Sequence, residues 1–228
     1  MKNVILYGSR KLAKMIYYDA INHPDFNIVA FVLDKAYIGD DKTYLDCPLV
    51  AFEDVSAIYP PSEYEMIALE ASYHLMRDRG NLFQKAKNEG YILTNYISHL
   101  AHVAPTVNMG ENNIIFAFAH LGEGGVMGNC NTVREQVYIG HDFLIGHLNV
   151  FAPSSTIGGS SQIQNNNYIG LGSTILNDKS IGEECLIGGG AVVIKDIESY
   201  TKNVGNPSRV IGSHKEEGLK VNLWEILS

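Results

Sequence analysis

The chain is poor in the features that mark several common classes of protein. Its 228 residues include three cysteines, Cys47, Cys130 and Cys185, and an odd, widely spaced set argues against both a disulfide framework and a cysteine-based zinc site. Acidic residues outnumber basic ones by 25 to 17, so the charge balance does not suggest a nucleic acid or an anionic membrane as partner. No apolar run of membrane-spanning length and no signal-peptide pattern is present. We therefore expect a cytoplasmic protein.

The dinucleotide fingerprint Gly-x-Gly-x-x-Gly is also missing. The apolar run from Val4 to Tyr7 is followed by Gly8, but the turn continues with Ser9, Arg10 and Lys11. A Rossmann oxidoreductase is therefore disfavoured. The pattern still predicts a strand, a turn and a helix that ends at His23-Pro24.

Further apolar segments extend this unit into an α/β domain. We predict a second strand over 27–33 that ends in Asp34, a polar loop over 35–48, a strand over 65–69, a helix over 75–88 and a last strand over 91–96. These elements indicate a small parallel sheet covered by helices, of the nucleotide-binding kind.

A six-residue period dominates the rest of the chain. Neither a helix nor a flat strand has this period, which is typical of the hexapeptide repeat of a parallel β-helix. Glycine follows the apolar residue in nine of sixteen repeats. The apolar series, predicted to point into the prism, is Val103, Met109, Ile115, Leu121, Met127, Val133, Ile139, Ile145, Phe151, Ile157, Ile163, Ile169, Ile175, Ile181, Ile187 and Val193.

Three such repeats would close one coil of eighteen residues. Residues eighteen apart then become neighbours along the axis, at a spacing of roughly 4.8 Å. Four asparagines, at positions 113, 131, 149 and 167, have this spacing and predict an amide ladder at one corner. Cys185 follows them at the same interval, so we expect it to be a buried thiol.

The array resembles the left-handed β-helix acyltransferases, and Thr156–Gly159, Gly188–Val192 and Gly205–Pro207 match their usual closing pattern. Together with the N-terminal unit, residues 1–212 resemble the sialic acid O-acetyltransferase family, which includes the N-acetyltransferases acting on UDP-4-amino-sugars in bacillosamine biosynthesis. The resemblance implies the left-handed sense, acetyl-coenzyme A as acyl donor, a nucleotide-linked sugar as acceptor and a homotrimer. We expect no metal.

The resemblance also suggests a division into three parts. Residues 1–97 would form a Rossmann-like nucleotide-sugar domain, residues 98–197 a left-handed parallel β-helix of about five coils, and residues 198–228 a C-terminal turn and tail. Within the tail, Leu223, Trp224, Ile226 and Leu227 are expected to dock as a short amphipathic segment.

His141 is the candidate general base. It lies two positions after the inward Ile139, so its side chain is expected to leave the prism near a bend, where an imidazole can take a proton from an attacking amine or hydroxyl. The family's catalytic histidine stands in the same Gly-His-Asp context. Either Asp142, which matches that motif, or Glu123, which lies one coil earlier by count, would orient the ring. A plain surface histidine is the alternative.

The candidate substrate-binding residues are less distinctive. Basic residues in the first turn would hold a diphosphate, or are simply solvated at the start of a helix. Asp34 would contact a ribose or base, or is a strand-end carboxylate. Arg134 stands where the subgroup has an asparagine seven residues before its histidine, and it would suit an acidic group or a phosphate. The His74–Arg77 segment matches the family's later arginine-containing helix. The predicted set is Gly8, Ser9, Arg10, Lys11, Asp34 and Arg134.

For the acyl donor, glycines leave room for a pantetheine arm to hydrogen-bond along coil edges, although tight bends also need glycine. Cations near the end of the array would receive the nucleotide of coenzyme A. The predicted set is Gly158, Gly159, Gly188, Gly189, Ala191, Lys195 and Arg209.

The sequence therefore predicts an acetyl-coenzyme A-dependent acetyltransferase that acts on an amino group or hydroxyl of a sugar. Alternatives are an acyltransferase on a small amino acid and a non-catalytic β-helix scaffold. A zinc site like that of the γ-class carbonic anhydrases, which share this β-helix, would use His120, His141 and His147. These three cannot converge within one chain, because they occupy different faces or registers, which leaves only a site between subunits for this alternative.

Overall fold

The computed structural model describes residues 1–8, 10–69 and 75–221, and only the backbone of Arg10. An N-terminal parallel sheet with helices is followed by a parallel β-helix. The elements of the first part are β1 (Lys2–Gly8), α1 (Arg10–Ala20), β2 (Phe26–Leu33), a 3₁₀ helix (Lys35–Tyr37), β3 (Thr43–Tyr44), β4 (Cys47–Ala51), α2 (Phe52–Ile58), β5 (Glu65–Leu69), a 3₁₀ helix (Met76–Gly80), α3 (Asn81–Asn88) and β6 (Ile92–Leu93).

The N-terminal sheet has the strand order β3-β4-β2-β1-β5-β6, and β3, which forms a hairpin with β4, is its antiparallel member. Alternation along β1 explains the layers, since successive side chains point to opposite faces. Val4 and Leu6 pack in the same cluster as Ala13, Ile16 and Ala20 of α1. Ile5 and Tyr7 belong to the opposite cluster, with Ala86 of α3. Helices thus cover both faces, as predicted.

Three local predictions were wrong in detail. The predicted loop over 35–48 contains β3 and the start of β4, which pairs with β2. The predicted helix over 75–88 begins as a 3₁₀ turn. The predicted strand over 91–96 divides: Ile92–Leu93 ends the N-terminal sheet, whereas the Tyr96 N–H donates to the Asn113 carbonyl at 2.8 Å and starts the β-helix.

The β-helix consists of two-residue strands joined by bends, and each strand between Tyr96 and Ile175 pairs in parallel with the strand eighteen residues later. They form three sheets, one for each side of a triangular prism. The strands are β7 (Tyr96–Ile97), β8 (His102–Val103), β9 (Asn108–Met109), β10 (Ile114–Ile115), β11 (His120–Leu121), β12 (Val126–Met127), β13 (Thr132–Val133), β14 (Tyr138–Ile139), β15 (Leu144–Ile145), β16 (Val150–Phe151), β17 (Thr156–Ile157), β18 (Gln162–Ile163), β19 (Tyr168–Ile169), β20 (Thr174–Ile175), β21 (Ser180–Ile181), β22 (Leu186–Ile187) and β23 (Val192–Val193).

The second residue of each β-helix strand points inward. From Ile115 to Val193 these residues are buried and form one cluster. Ile97, Val103 and Met109, in the first coil, are partly buried and pack against it. The six-residue period therefore marks the core of the prism, as predicted.

Most of the bends are made by residues other than glycine. A left-handed φ recurs at every sixth residue, three positions after the inward one, and most of these residues are not glycine, among them Asn112, Asp142 and Glu184. The glycines directly after the inward residues are needed for another reason. A Cβ at Gly122 or Gly170 would lie within 3 Å of the backbone of the next coil.

The asparagine ladder is confirmed. Each side-chain oxygen accepts the backbone N–H of the ladder residue one coil later, at 2.9 Å from Asn113 to Asn131 and from Asn131 to Asn149. The ladder begins one rung earlier than predicted, at Asn95. It ends where the Cys185 N–H donates to Asn167. Cys185 is fully buried, as expected, and burial raises the pKa of its thiol.

One face of the prism is covered. Its outward residues, among them Ile114, Val150 and Tyr168, are buried against the N-terminal part or against Leu219 and Val221 of the tail. Beyond the repeats, β24 (Thr201–Val204) extends this sheet and β25 (Arg209–Ser213) returns antiparallel to it. The four apolar tail residues predicted to dock lie outside the described residues. Among the described residues, no helix is long and apolar enough to span a membrane.

We predict that Asn149→Ala lowers the free energy of unfolding by about 2 to 4 kcal/mol. The substitution leaves the buried Asn167 N–H without its acceptor and removes the amide bonded to Asn131, and each such loss costs about 1–3 kcal/mol. Denaturant unfolding measures the change. Asn22→Ala, at an exposed turn, is the control and should shift it by less than about 0.5 kcal/mol. Equal effects in the two variants would contradict the ladder's role.

Candidate active site

His141 lies on an exposed edge of the prism. The edge joins two uncovered sides, that of β14 and that of β15, and the His141 side chain is 61% exposed. Its Nδ1 lies 2.8 Å from Oδ2 of Asp142. Because a carboxylate is only an acceptor, the N–H of the neutral ring is on Nδ1. Nε2 therefore keeps its lone pair and is available to accept a proton.

Two glycines make room for this pair. A Cβ on Gly159, one coil later, would lie 2.6 Å from Nε2 of His141, and a Cβ on Gly124 would collide with the Asp142 carboxylate. The ring therefore lies directly against Gly159. The backbone N–H of Gly159 donates to Oδ1 of Asn177 at 3.0 Å.

His147 occupies the equivalent position of the next hexapeptide and behaves differently. Its Nδ1 accepts the backbone N–H of Asn129 at 2.9 Å, so its neutral ring carries the proton on Nε2. The residue after His147 is Leu148, which offers no carboxylate. The difference between the two histidines thus follows from the presence of Asp142.

Glu123 lies one coil before His141, as the count predicted. Its carbonyl accepts the Asp142 backbone N–H at 2.8 Å. Its exposed side chain has no hydrogen bond to His141 among the described residues, whereas Asp142 does. Of the two proposed carboxylates, Asp142 is therefore the one in contact with the ring.

The three histidines of the zinc alternative do not meet. His120 stacks between His102 and Tyr138, with ring centroids 4.8 and 5.1 Å apart, and His147 is hydrogen-bonded on another edge. No group of three His, Cys, Asp or Glu residues suited to a metal occurs in the described part of the chain.

The order of the N-terminal sheet reverses at β1, so the carboxyl ends of β1 and β5 flank a topological switch point. Ligands of open α/β sheets bind at such points. Gly8 has a φ of +119°, and a Cβ there would lie 2.7 Å from the Leu69 carbonyl oxygen, so no other residue fits. Lys11 is exposed in the first turn of α1. Ser9 and the Arg10 side chain lie outside the described residues.

Asp34 is already occupied by protein partners. It accepts hydrogen bonds from the Tyr7 hydroxyl and from Lys85 Nζ, the latter at 2.8 Å. Burial raises the pKa of Asp34, but these two hydrogen bonds outweigh it and the net pKa is lowered. The carboxylate thus ties the ends of β1 and β2 to α3.

Two of the candidate arginines, Arg134 and Arg77, also have protein partners. Arg134 pairs with Glu135 at 3.0 Å and lies over the Phe116 ring, on a different edge from His141. Arg77 pairs with the buried Glu184 at 2.8 Å. Neither arginine lies beside the His141–Asp142 pair.

The candidate acyl-donor residues fall into two groups. Gly158 and Gly188 pack against the following coil, and Ala191 is buried. Gly189, Lys195 and Arg209 are exposed near the end of the prism. The sequence reasoning did not identify Gly124 or Asn177, although Gly124 follows the proposed Glu123 and Asn177 lies eighteen residues after Gly159.

The sequence matches no protein-family model and no curated protein. Several solved structures nevertheless match over almost their whole length. PerB from Caulobacter crescentus, solved with CoA and GDP-perosamine, is 22% identical, with a TM-score of 0.80 over 93% of this chain and 98% of that one. Variants of that perosamine N-acetyltransferase with a histidine replaced by asparagine or alanine also match.

Two other matches have the same architecture. The acetyltransferase domain of PglB from Neisseria gonorrhoeae, solved with acetyl coenzyme A, is 19% identical, with a TM-score of 0.80 over 92% of this chain and 99% of that one. WeeI from Acinetobacter baumannii is 22% identical, with a TM-score of 0.72 over 92% and 100%. The predicted fold class is confirmed: the chain has the fold of the left-handed β-helix sugar acetyltransferases, with an N-terminal parallel sheet.

Proposed function

We propose that the chain is an acetyl-coenzyme A-dependent acetyltransferase that acylates an amino group of a nucleotide-linked sugar in the cytoplasm. In this proposal residues 1–97 hold the nucleotide sugar and residues 98–197 carry the acyl transfer. The observation that carries the proposal is the exposed His141–Asp142 pair, with Nε2 unoccupied, on a β-helix that matches sugar N-acetyltransferases along its length.

The reaction needs one general base. Nε2 of His141 takes a proton from the acceptor amine as its nitrogen attacks the thioester carbonyl. The carbon–nitrogen bond forms, the carbon–sulfur bond breaks, and coenzyme A leaves as the thiol after taking up a proton. Asp142 stabilises the imidazolium formed in between. A backbone amide beside the ring, such as that of Gly159, suits the developing oxyanion once Asn177 gives up its contact.

The acceptor class is supported by the switch point of the N-terminal sheet, where we place the substrate crevice. The positive φ of Gly8 turns the chain from β1 into α1, and Lys11 adds a cation in the first turn, where a helix N-terminus favours a phosphate. Asp34 and Arg134 are both paired with protein side chains. We therefore assign them an indirect role in binding the acceptor. The Caulobacter neighbour was solved with a GDP-linked sugar.

The acyl donor is acetyl-coenzyme A, the ligand of the Neisseria neighbour. Its thioester would lie over Gly159 beside Nε2, and its arm would run along the uncovered sides toward Gly189. Lys195 and Arg209, both exposed near the end of the prism, would meet its phosphates.

We propose a homotrimer on the basis of the two uncovered sides that flank His141. Their outward residues carry no Lys, Arg, Asp or Glu, and charge depletion is typical of interface cores. The outward residues are His102, His120, Tyr138, Thr156, Thr174 and Val192 on one side and Asn108, Val126, Leu144, Gln162 and Ser180 on the other. In a closed ring, one of these sides of each protomer would pack against the other side of its neighbour. Each His141 would then lie beside the surface of a neighbouring protomer.

The proposed function is tested by incubating the protein with acetyl-coenzyme A and a panel of UDP-, GDP- and dTDP-linked amino sugars. We expect one acceptor to gain a single acetyl group by mass spectrometry, with release of one thiol. Absence of transfer to every amino sugar, together with transfer to a free amino acid, would overturn the proposal.

Replacing His141 by alanine should lower kcat by about two to four powers of ten, the usual contribution of a positioned general base. The melting temperature should hardly change, because the side chain is exposed. His147→Ala is the matched control in the same register and should keep most of the turnover. If His141→Ala retains more than about a third of wild-type turnover, His141 is not the base.

Gly159→Ala should lower kcat by about tenfold or more, because its Cβ would displace the His141 ring. A small misplacement of a catalytic group is costly in rate. Gly212→Ala is the control, since a Cβ there meets nothing within 4 Å. Steady-state kinetics of both variants measure the effect. Unchanged turnover in Gly159→Ala would show that the ring does not depend on this contact.

Light scattering should give the mass of three chains at micromolar concentration. Leu144→Arg puts a charge at the centre of an uncovered side and should dissociate the trimer, whereas Ile92→Arg, at an equally exposed apolar residue of the N-terminal sheet, should not. A monomer in the wild type would refute the assembly.

A further inference from the structure

One column of bend residues faces the N-terminal domain. We name it the corner column: Asn112, Cys130, Leu148, Asn166 and Glu184, spaced by eighteen. Three of its members contact the segment that runs from the end of β5 to the start of α3. Asn112 bonds to Ala68, the Leu148 side chain lies against Gly80, and Glu184 pairs with Arg77.

Asn112 makes the most specific of these contacts. Its Oδ1 accepts the Ala68 backbone N–H at 2.8 Å, and its Nδ2 donates to the Ala68 carbonyl at 2.9 Å. Asn112 is 2% exposed. Strand β6 pairs with β5 only at Glu65 and Met66, so the edge of β5 is open at Ala68. The Asn112 amide takes the place of the missing strand.

The far end of the same connection is also fixed to the β-helix. The Met76 N–H donates to the Leu219 carbonyl at 2.9 Å, and the buried Glu184 accepts from Arg77 and from the Leu219 N–H. Asn112 therefore holds the start of the connection between β5 and α3, and Glu184 holds its end.

The position of Ala68 matters for the proposed substrate crevice. The next residue, Leu69, ends β5, and its carbonyl lies directly against Gly8. A shift of β5 at Ala68 would thus change the wall of the crevice beside Gly8, where β1 leads into α1.

We propose that Asn112 is a positioning residue for the sugar-nucleotide acceptor: it fixes the carboxyl end of β5 to the β-helix and thereby sets the shape of the crevice at Gly8. This inference rests on the proposed function. Asn112 touches neither substrate, and its effect on the acceptor is transmitted through Ala68 and Leu69.

The test uses Asn112→Gly, because Asn112 has a left-handed φ of 58° that glycine adopts without strain. Asn166→Gly is the matched control. It belongs to the same column with a φ of 59°, and its Oδ1 has no hydrogen-bond partner in the described part of the chain. Both variants lose an asparagine side chain at the same kind of bend.

Two measurements decide the matter. Amide hydrogen exchange of the free protein, followed by mass spectrometry, should be faster in the peptide covering 65–69 for Asn112→Gly and unchanged for Asn166→Gly. The KM for the acceptor should rise by about tenfold or more in Asn112→Gly, while the KM for acetyl-coenzyme A stays within about twofold. A merely structural defect would lower the amount of active enzyme, but it would not raise the KM for the acceptor relative to the KM for acetyl-coenzyme A.

Unchanged exchange at 65–69, or faster exchange with an unchanged acceptor KM, would overturn the inference. If the wild type acetylates no nucleotide sugar, the proposed function is wrong and no acceptor KM can be measured. The Kd values of the two variants for UDP and GDP, measured by calorimetry, then take the place of the acceptor KM. Weaker nucleotide binding in Asn112→Gly alone supports the positioning role, and equal binding in both variants contradicts it.

Discussion

Backbone pairing between successive coils is the constraint on which the rest of the molecule depends. Each two-residue strand bonds to the strand eighteen residues away, so every side chain has a fixed neighbour one coil above and below it. This spacing stacks the asparagine ladder, forces glycine where coils touch and places Gly159 beneath the His141 ring. An insertion of one residue would change all of these relations together, because it would move the inward residues out of register.

The same register also allows chemically similar residues to have different roles. His141 and His147 hold equivalent positions in consecutive hexapeptides, yet one is turned toward Asp142 and the other accepts a backbone N–H. Asn112, Asn166 and Glu184 share a bend conformation, yet the first and the last are joined to the N-terminal domain. The repeat fixes where each side chain lies. The residue that follows it or faces it then determines the role of that side chain.

The period of six was sufficient to predict the prism, its core and the asparagine ladder, because core burial imposes that period on the sequence. The outward position of His141 followed from the same count. The bends were predicted less well, since the left-handed residues include Phe118, Leu148 and Glu184, which have no turn signature of their own. Backbone stacking between coils compensates for their unfavourable conformation, and this compensation is not visible in a local sequence.

Side-chain partners that the repeat does not determine were beyond the sequence for a related reason. Asp34 and Arg134 were interpreted as ligand contacts, but Lys85 and Glu135 are their partners in the structure. The bond from Asn112 to Ala68 joins residues 44 positions apart, with no periodicity connecting them.

The central claim is that His141 presents an unoccupied Nε2 because Asp142 holds its Nδ1–H. Nitrogen-15 NMR of the histidine rings, recorded above about pH 8 where imidazoles are neutral, tests this directly. The account predicts opposite tautomers for the two equivalent histidines, with the proton on Nδ1 in His141 and on Nε2 in His147. The proton on Nε2 in His141, or loss of the Nδ1–H signal on His147→Ala rather than on His141→Ala, would contradict it.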